Sequence, residues 1–252
     1  MSPKAKRPTR EILLLPSLLT TGNLLCGFAA VVAAAHGKSL WAAGLIFLGM
    51  AFDILDGQIA RYIGIATQFG VEYDSLADVV TFGLAPAFLM VEHALKPFGR
   101  WGWVSGFLFV VGAALRLARF NVRFEDEPKT PYFQGLPTPA AAGTLAGLVM
   151  LLNAHPISPG LGLGLLALPP ALALLMVSSL PYRHFKQGRR SVRRVSWLIV
   201  GFAALLALAV AEPRWVLPVI FGGYTLSGPL DAVRSALRAK RGKRHANTSH
   251  GQ

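Results

Sequence analysis

A chain of 252 residues that is 53% hydrophobic and only 15% charged, with a mean hydropathy of +0.49, spreads its apolar excess over its whole length. That excludes an ordinary soluble globule and fits an all-α polytopic membrane protein. The formal charge of +13 would suit nucleic acid, but the basic residues fall between apolar runs, where topology and lipid contact account for them without nucleic acid.

The chain opens with a basic arm, residues 1–10, and no small-residue cleavage site follows it before the apolar run, so the first span is expected to stay. Apolar runs follow at 12–35, 40–61, 75–95, 101–121, 137–154, 161–180, 196–211 and 214–230. Each can cross a hydrocarbon core of about 30 Å at ~1.5 Å per residue, the last two only barely. Eight spans are therefore expected. Glu212, Pro213 and Arg214 leave a tight turn before the eighth, and Pro218 and Pro229 interrupt it, so a hairpin dipping into one leaflet is the alternative there. A polar loop is expected at 123–135, a basic linker at 183–195, and a basic, disordered tail at 231–252. "GFAAVVAAAHG" and "AAAGTLAG" bring small residues to the spans, which suits close helix packing in lipid. Cys26 is the only cysteine; it excludes an intramolecular disulfide and reads as a packing residue.

With eight spans and the N-terminus inside, the inner segments hold 21 of the 25 Lys and Arg residues, and the outer segments hold Lys38, Lys96, Arg100 and Arg214. This predicts a cell-membrane protein with both termini in the cytoplasm. The clusters at 183–194 and 234–244 would hold anionic lipid headgroups.

One stretch breaks the apolar pattern: "FDILDGQIARYIGIATQFGVEYDSLADVVTFG", residues 52–83. Read as helix, Asp53, Asp56, Gly57, Ala60 and Arg61 share a face near the inner end of the second span. After a turn around Gly64 to Gly70, Asp74 and Asp78 share a face at the start of the third span. Two neighbouring helices can thus gather four carboxylates. Four close anions beside hydrocarbon need positive charge among them, and oxygen-only ligands select Mg²⁺, Mn²⁺ or Ca²⁺. Two such ions form the clamp used in displacement at phosphorus. Gly57 and Gly70 would then leave room for a diphosphate or nucleotide, and Arg61 could pair with phosphate oxygens. An ion or proton path, or acids that merely pair with bases elsewhere, are the competing readings.

The spacing Asp53-x2-Asp56-Gly57-x2-Ala60-Arg61-x8-Gly70-x3-Asp74-x3-Asp78 resembles the signature of the CDP-alcohol phosphotransferase family at every fixed position. The resemblance implies a six-helix membrane core, here 11–182, followed by two further spans in 196–230. It also implies a pair of bound divalent cations, Mg²⁺ or Mn²⁺, and transfer of a phosphatidyl group from a CDP-linked lipid to an alcohol with release of CMP. It makes Asp53, Asp56 and Asp74 metal ligands, places Asp78 at the metals as general base, and assigns Gly57, Ala60, Arg61 and Gly70 to the nucleotide. Segments 14–31, 114–122, 133–143 and 176–186 are similar to the serine-accepting branch of the family, which implies CDP-diacylglycerol and L-serine as substrates. Asn23 stands where the glycerol-phosphate branch tends to carry arginine. A homodimer is one allowed state of assembly.

The flanking polar residues remain open between two readings each. Arg116 and Arg119, at i, i+3 near the inner end of the fourth span, either hold a small acid's carboxylate, with Asn121 adding a hydrogen bond, or anchor the helix at the interface. Thr20 and Asn23 either reach nucleotide phosphates or make packing contacts. His36, His93 and His155 fall on the outer side, away from any chemistry, and "SLPYRHFK" reads as a helix stop with a membrane-anchoring segment. Another acceptor (an inositol phosphate, glycerol phosphate or amino alcohol) is the runner-up, and a cation transporter the alternative outside the enzymes.

Overall fold

A computed structural model describes residues 10–63, 67–126, 133–153, 159–178, 180–182 and 211–249. The described chain is helical apart from one two-residue strand pairing. Helix α1 runs over Arg10–Ala35 and α2 over Ser39–Ile63. They are joined by a tight reversal at Gly37, whose φ of 73° only glycine adopts without strain. The Gly37 amide donates to the Ala34 carbonyl and the Lys38 amide to Ala33, a Schellman closure that satisfies the last carbonyls of α1. Below it α1 and α2 pack closely, because Ala30 and Ala34 face Ala42, Ala43 and Ile46 in the buried core.

The third helical run starts with α3, Gln68–Asp78, and passes through wide π-helical turns at Val79–Leu84 into α4, Ala85–Met90. A second π-helical stretch, Val91–Leu95, and a 3₁₀ turn, Lys96–Phe98, complete it. The wide turn is visible in its bonding, the Ala85 amide donating to the Val80 carbonyl five residues back. Pro86 follows directly and has no amide proton to continue a regular ladder. Helices α5 (Arg100–Asp126), α6 (Thr138–Leu152) and α7 (Pro159–Val177) pack against this run, and α8 (Pro213–Ser249) packs on α6. Strands β1 (Phe133–Gln134) and β2 (Pro181–Tyr182) pair antiparallel, Phe133 opposite Tyr182.

Among the described residues, five helical runs are long and apolar enough to cross a membrane: Pro16–Ala35, Ser39–Ala60, Gln68–Phe98, Arg100–Asn121 and Gly160–Val177. This is a multi-pass membrane protein. The third span is central, with 61% of its most apolar window buried against 33–39% in the other four. Phe82, Leu89, Met90 and Leu95 on that run meet Phe109, Leu136, Leu145 and Leu172 in the core. Trp41, Phe107, Leu163 and Leu174 face outward, as side chains against hydrocarbon do.

Three expectations change. The fifth apolar run forms α6, only 15 residues long, shorter than the five spans. The expected turn around Gly64 to Gly70 ends earlier, since Thr67 caps α3 by accepting the Gly70 amide at 3.1 Å and Gly70 lies inside the first helical turn. The tail, expected to be disordered, continues α8 in one helix as far as Ser249. Its run of Ala, Arg, Lys and Leu consists of good helix formers, and propensity prevails there over charge. The basic arm through residue 9, the linker at 183–195 and the expected seventh span at 196–211, except its last residue, lie outside the described residues.

Candidate active site

Helix α2 carries Asp53 and Asp56 and helix α3 carries Asp74, and one carboxylate oxygen of each lies within 4.8 Å of the other two. The i, i+3 step on α2 puts its two acids on one face, and α3 returns beside that face. No described Lys or Arg forms an ion pair with any of the three. Asp74 Oδ1 is buried and has no hydrogen-bond partner, an arrangement that is costly unless a cation completes it. Crowded, partly buried oxygen donors with no thiol or imidazole among them fit a hard divalent ion.

Helix α1 supplies the supports. Thr20 Oγ1 lies 2.9 Å from Asp56 Oδ2, to which it donates, and 3.1 Å from the Pro16 carbonyl. Asn23 Nδ2 donates to Asp78 Oδ1 at 3.0 Å. Both side chains are buried, Asn23 at 0% exposure, so they act on carboxylates within the protein. Asp78 is itself buried and is not in the set of three; its Oδ1 is held by Asn23.

Sequence reasoning missed the residue that fixes Asn23. Thr81, fully buried in the π-helical stretch, donates through Oγ1 to the Asn23 carbonyl at 2.9 Å. Gly27 on α1 and Gly49 on α2 make room for it. A Cβ on Gly27 would collide with Thr81 Oγ1, and one on Gly49 would lie 2.5 Å from Thr81 Cγ2 and 3.0 Å from Asn23 Oδ1. The only sequence signal was a threonine three residues after the last aspartate. Tyr73 was also unread; its hydroxyl lies 2.9 Å from Thr21 Oγ1 and its ring stacks on Phe69 at 5.9 Å.

Of the residues expected to meet nucleotide, Gly57 and Ala60 are half-buried on the acidic face of α2 and Gly70 is in the first turn of α3. The backbone of Arg61 belongs to α2, and its side chain lies outside the described residues. The acceptor candidates take separate positions. Arg116 turns inward, Nη1 donating to Thr138 Oγ1 at 3.2 Å, with Nε buried and without a partner. Arg119 is more exposed and donates to the Val177 carbonyl at 3.2 Å. Asn121 Nδ2 lies 3.0 Å from Ser75 Oγ and 3.5 Å from Glu72 Oε2, fastening α5 to α3.

The bundle and its acidic cluster define a multi-pass membrane protein whose grouped carboxylates fit a hard divalent cation. Residues 13–180 match the CDP-alcohol phosphatidyltransferase family, and the chain belongs to that family. It is similar to the CDP-diacylglycerol–serine O-phosphatidyltransferase of Helicobacter pylori, 34% identical over 226 residues, 88% of this chain and 92% of that protein. The enzymes of the same name from Bacillus subtilis and Methanocaldococcus jannaschii are 33% and 35% identical. The alignments cover 69% and 70% of this chain and 92% and 77% of those proteins respectively.

Proposed function

We propose that the protein transfers the phosphatidyl group of CDP-diacylglycerol to the hydroxyl of L-serine, giving phosphatidylserine and CMP. The observation that carries this reading is the set of three carboxylates within 4.8 Å, one bearing a buried oxygen with no partner, in a chain of this family. The relatives named for serine transfer support the choice of acceptor. Asp53, Asp56 and Asp74 would hold the cations, Mg²⁺ or Mn²⁺, with Asp78 at their edge. When bound, such ions neutralise charge on the pyrophosphate and on the departing CMP.

The chain's own residues do the rest. Thr20 fixes the Asp56 carboxylate and Asn23 fixes Asp78. Asp78 Oδ2 takes the proton of the serine hydroxyl while that oxygen forms its bond to the phosphorus of the diacylglycerol phosphate and the bond from phosphorus to the CMP oxygen breaks. Arg61 pairs with the diphosphate beside Gly57, Ala60 and Gly70, and Arg116 receives the carboxylate that serine has and simple alcohols lack. Arg119 and Asn121 border that pocket.

The same reading gives a catalytic core of 11–182 with two further spans behind it, eight in all. It puts both termini in the cytoplasm, where the basic clusters meet anionic lipid, and allows a homodimer. Purified protein given CDP-diacylglycerol, Mn²⁺ and labelled serine should release CMP only when serine is present. Release with another alcohol and not with serine overturns the acceptor, and no release with any alcohol overturns the reaction.

A further inference from the structure

Helix α8 is the part of the chain whose sequence carries no motif, yet it is docked on the core in a defined register. Gly143 and Gly147 of α6 lie one helical turn apart and leave a groove for it. A Cβ on Gly147 would lie 3.0 Å from Pro218 Cα, and one on Gly143 would lie 2.5 Å from the Phe221 ring. Later residues of α8 thus meet earlier residues of α6, and the two helices run antiparallel. The hydroxyls of Thr144 and Thr225, 2.8 Å apart, fasten the same seam, and Phe221 also reaches Phe47 of α2, ring centres 5.5 Å apart. This register carries Tyr224 toward the start of α6, where Thr138 takes the Arg116 hydrogen bond. Tyr224 packs on the core, and Arg116 is within electrostatic reach of both Tyr224 and Asp78.

We propose that Tyr224 is a positioning residue of the acceptor site, its phenol holding the Arg116 guanidinium between α6 and α8 so that the partnerless Nε–H is presented to the acceptor's carboxylate. A guanidinium is a planar fork, useful only when its plane is set. Thr138 fixes one of its nitrogens, which leaves rotation about that contact to be stopped from the other side. Tyr224 supplies that stop, and α8 thereby becomes a wall of the site. The inference rests on the reading of Arg116 as the group that binds the serine carboxylate.

Serine and CDP-diacylglycerol KM values of the full-length protein in detergent, for the wild type and for Tyr224→Phe, Arg116→Ala and the double variant, test it. Tyr224→Phe keeps the ring that packs on the core and should raise the serine KM roughly three- to tenfold, the scale of one lost hydrogen bond. The KM for CDP-diacylglycerol and the thermal midpoint should stay unchanged, as a general packing defect would not allow. The double variant should be no worse for serine than Arg116→Ala, because the two residues act as one. If Arg116→Ala raises the serine KM and Tyr224→Phe does not, the positioning role is overturned while the acceptor reading stands. If neither changes it, the acceptor reading itself has failed. Should Arg116→Ala turn over too slowly to measure, serine-dependent thermal stabilisation of each variant reads the same comparison.

Discussion

At the scale of the residue, the site is a set of acids with assigned supports. Asp53→Asn, Asp56→Asn and Asp74→Asn should each weaken Mn²⁺ binding and abolish nearly all turnover, since each removes one of three oxygens converging within 4.8 Å. Calorimetric Mn²⁺ titration together with CMP release checks this, and any of the three retaining activity within a few-fold of wild type at saturating metal is not a ligand. Asp78→Asn should differ in kind. It should keep much of the metal and CDP-lipid binding while kcat falls about 10²-fold or more, the usual scale for a lost general base. These acids were legible in the sequence because helical spacing alone puts them on shared faces. Thr20 and Asn23 were legible as polar residues but not as supports of Asp56 and Asp78, since those hydrogen bonds cross 36 and 55 residues of chain. Thr81 and Tyr224 were invisible for the same reason: a lone hydroxyl in an apolar run acquires meaning only from a neighbour that sequence does not place.

At the scale of the element, the third helical run joins site to core. Asp74 and Asp78 precede the π-helical turns and the buried apolar residues follow them, so the extra residue in the wide turn lets the acidic face and the core face keep separate registers. Deleting one residue within 79–84 would restore regular helix and rotate the acids by about 100° against the core. The glycines packed around Thr81 impose a similar demand. Gly49→Val should lower the thermal midpoint in detergent, overpacking costing about 1–3 kcal/mol, and should lower kcat as Asn23 shifts and Asp78 with it. A variant as stable and as active as the wild type would show that Thr81 has room to move. The closeness of α1 to α2 and the use of Gly143 and Gly147 as a helix seat followed from runs of small residues, whereas which helix would fill the seat did not.

At the scale of the whole molecule, the partition of basic residues predicts that the 183–195 linker faces the cytoplasm. In a Cys26→Ala background, a cysteine placed at Ser191 should be labelled by a membrane-impermeant thiol reagent in inverted vesicles and not in intact cells. Labelling from the outer face alone would reverse the topology. The helical class and the position of most apolar helices were legible because hydropathy acts locally. The extent of α8 was not, because charge suggested a solvated tail while its helix formers favoured a continuous helix.

The chain order of the contacts also sets an order in time. Every hydrogen bond described here between α1 and the acids, and the Thr81 contact behind them, lies within residues 16–81 of 252. Arg116, by contrast, finds Thr138 and the neighbourhood of Tyr224 only after α6 and α8 exist. During synthesis the first three helical runs can therefore enter the bilayer with Asp56 already bound to the Thr20 hydroxyl and Asp78 to the Asn23 amide, before the rest of the bundle arrives. On the proposed reading, the part of the site that would hold metal is built from the first three helical runs, and the part that would meet the acceptor also needs α6 and α8.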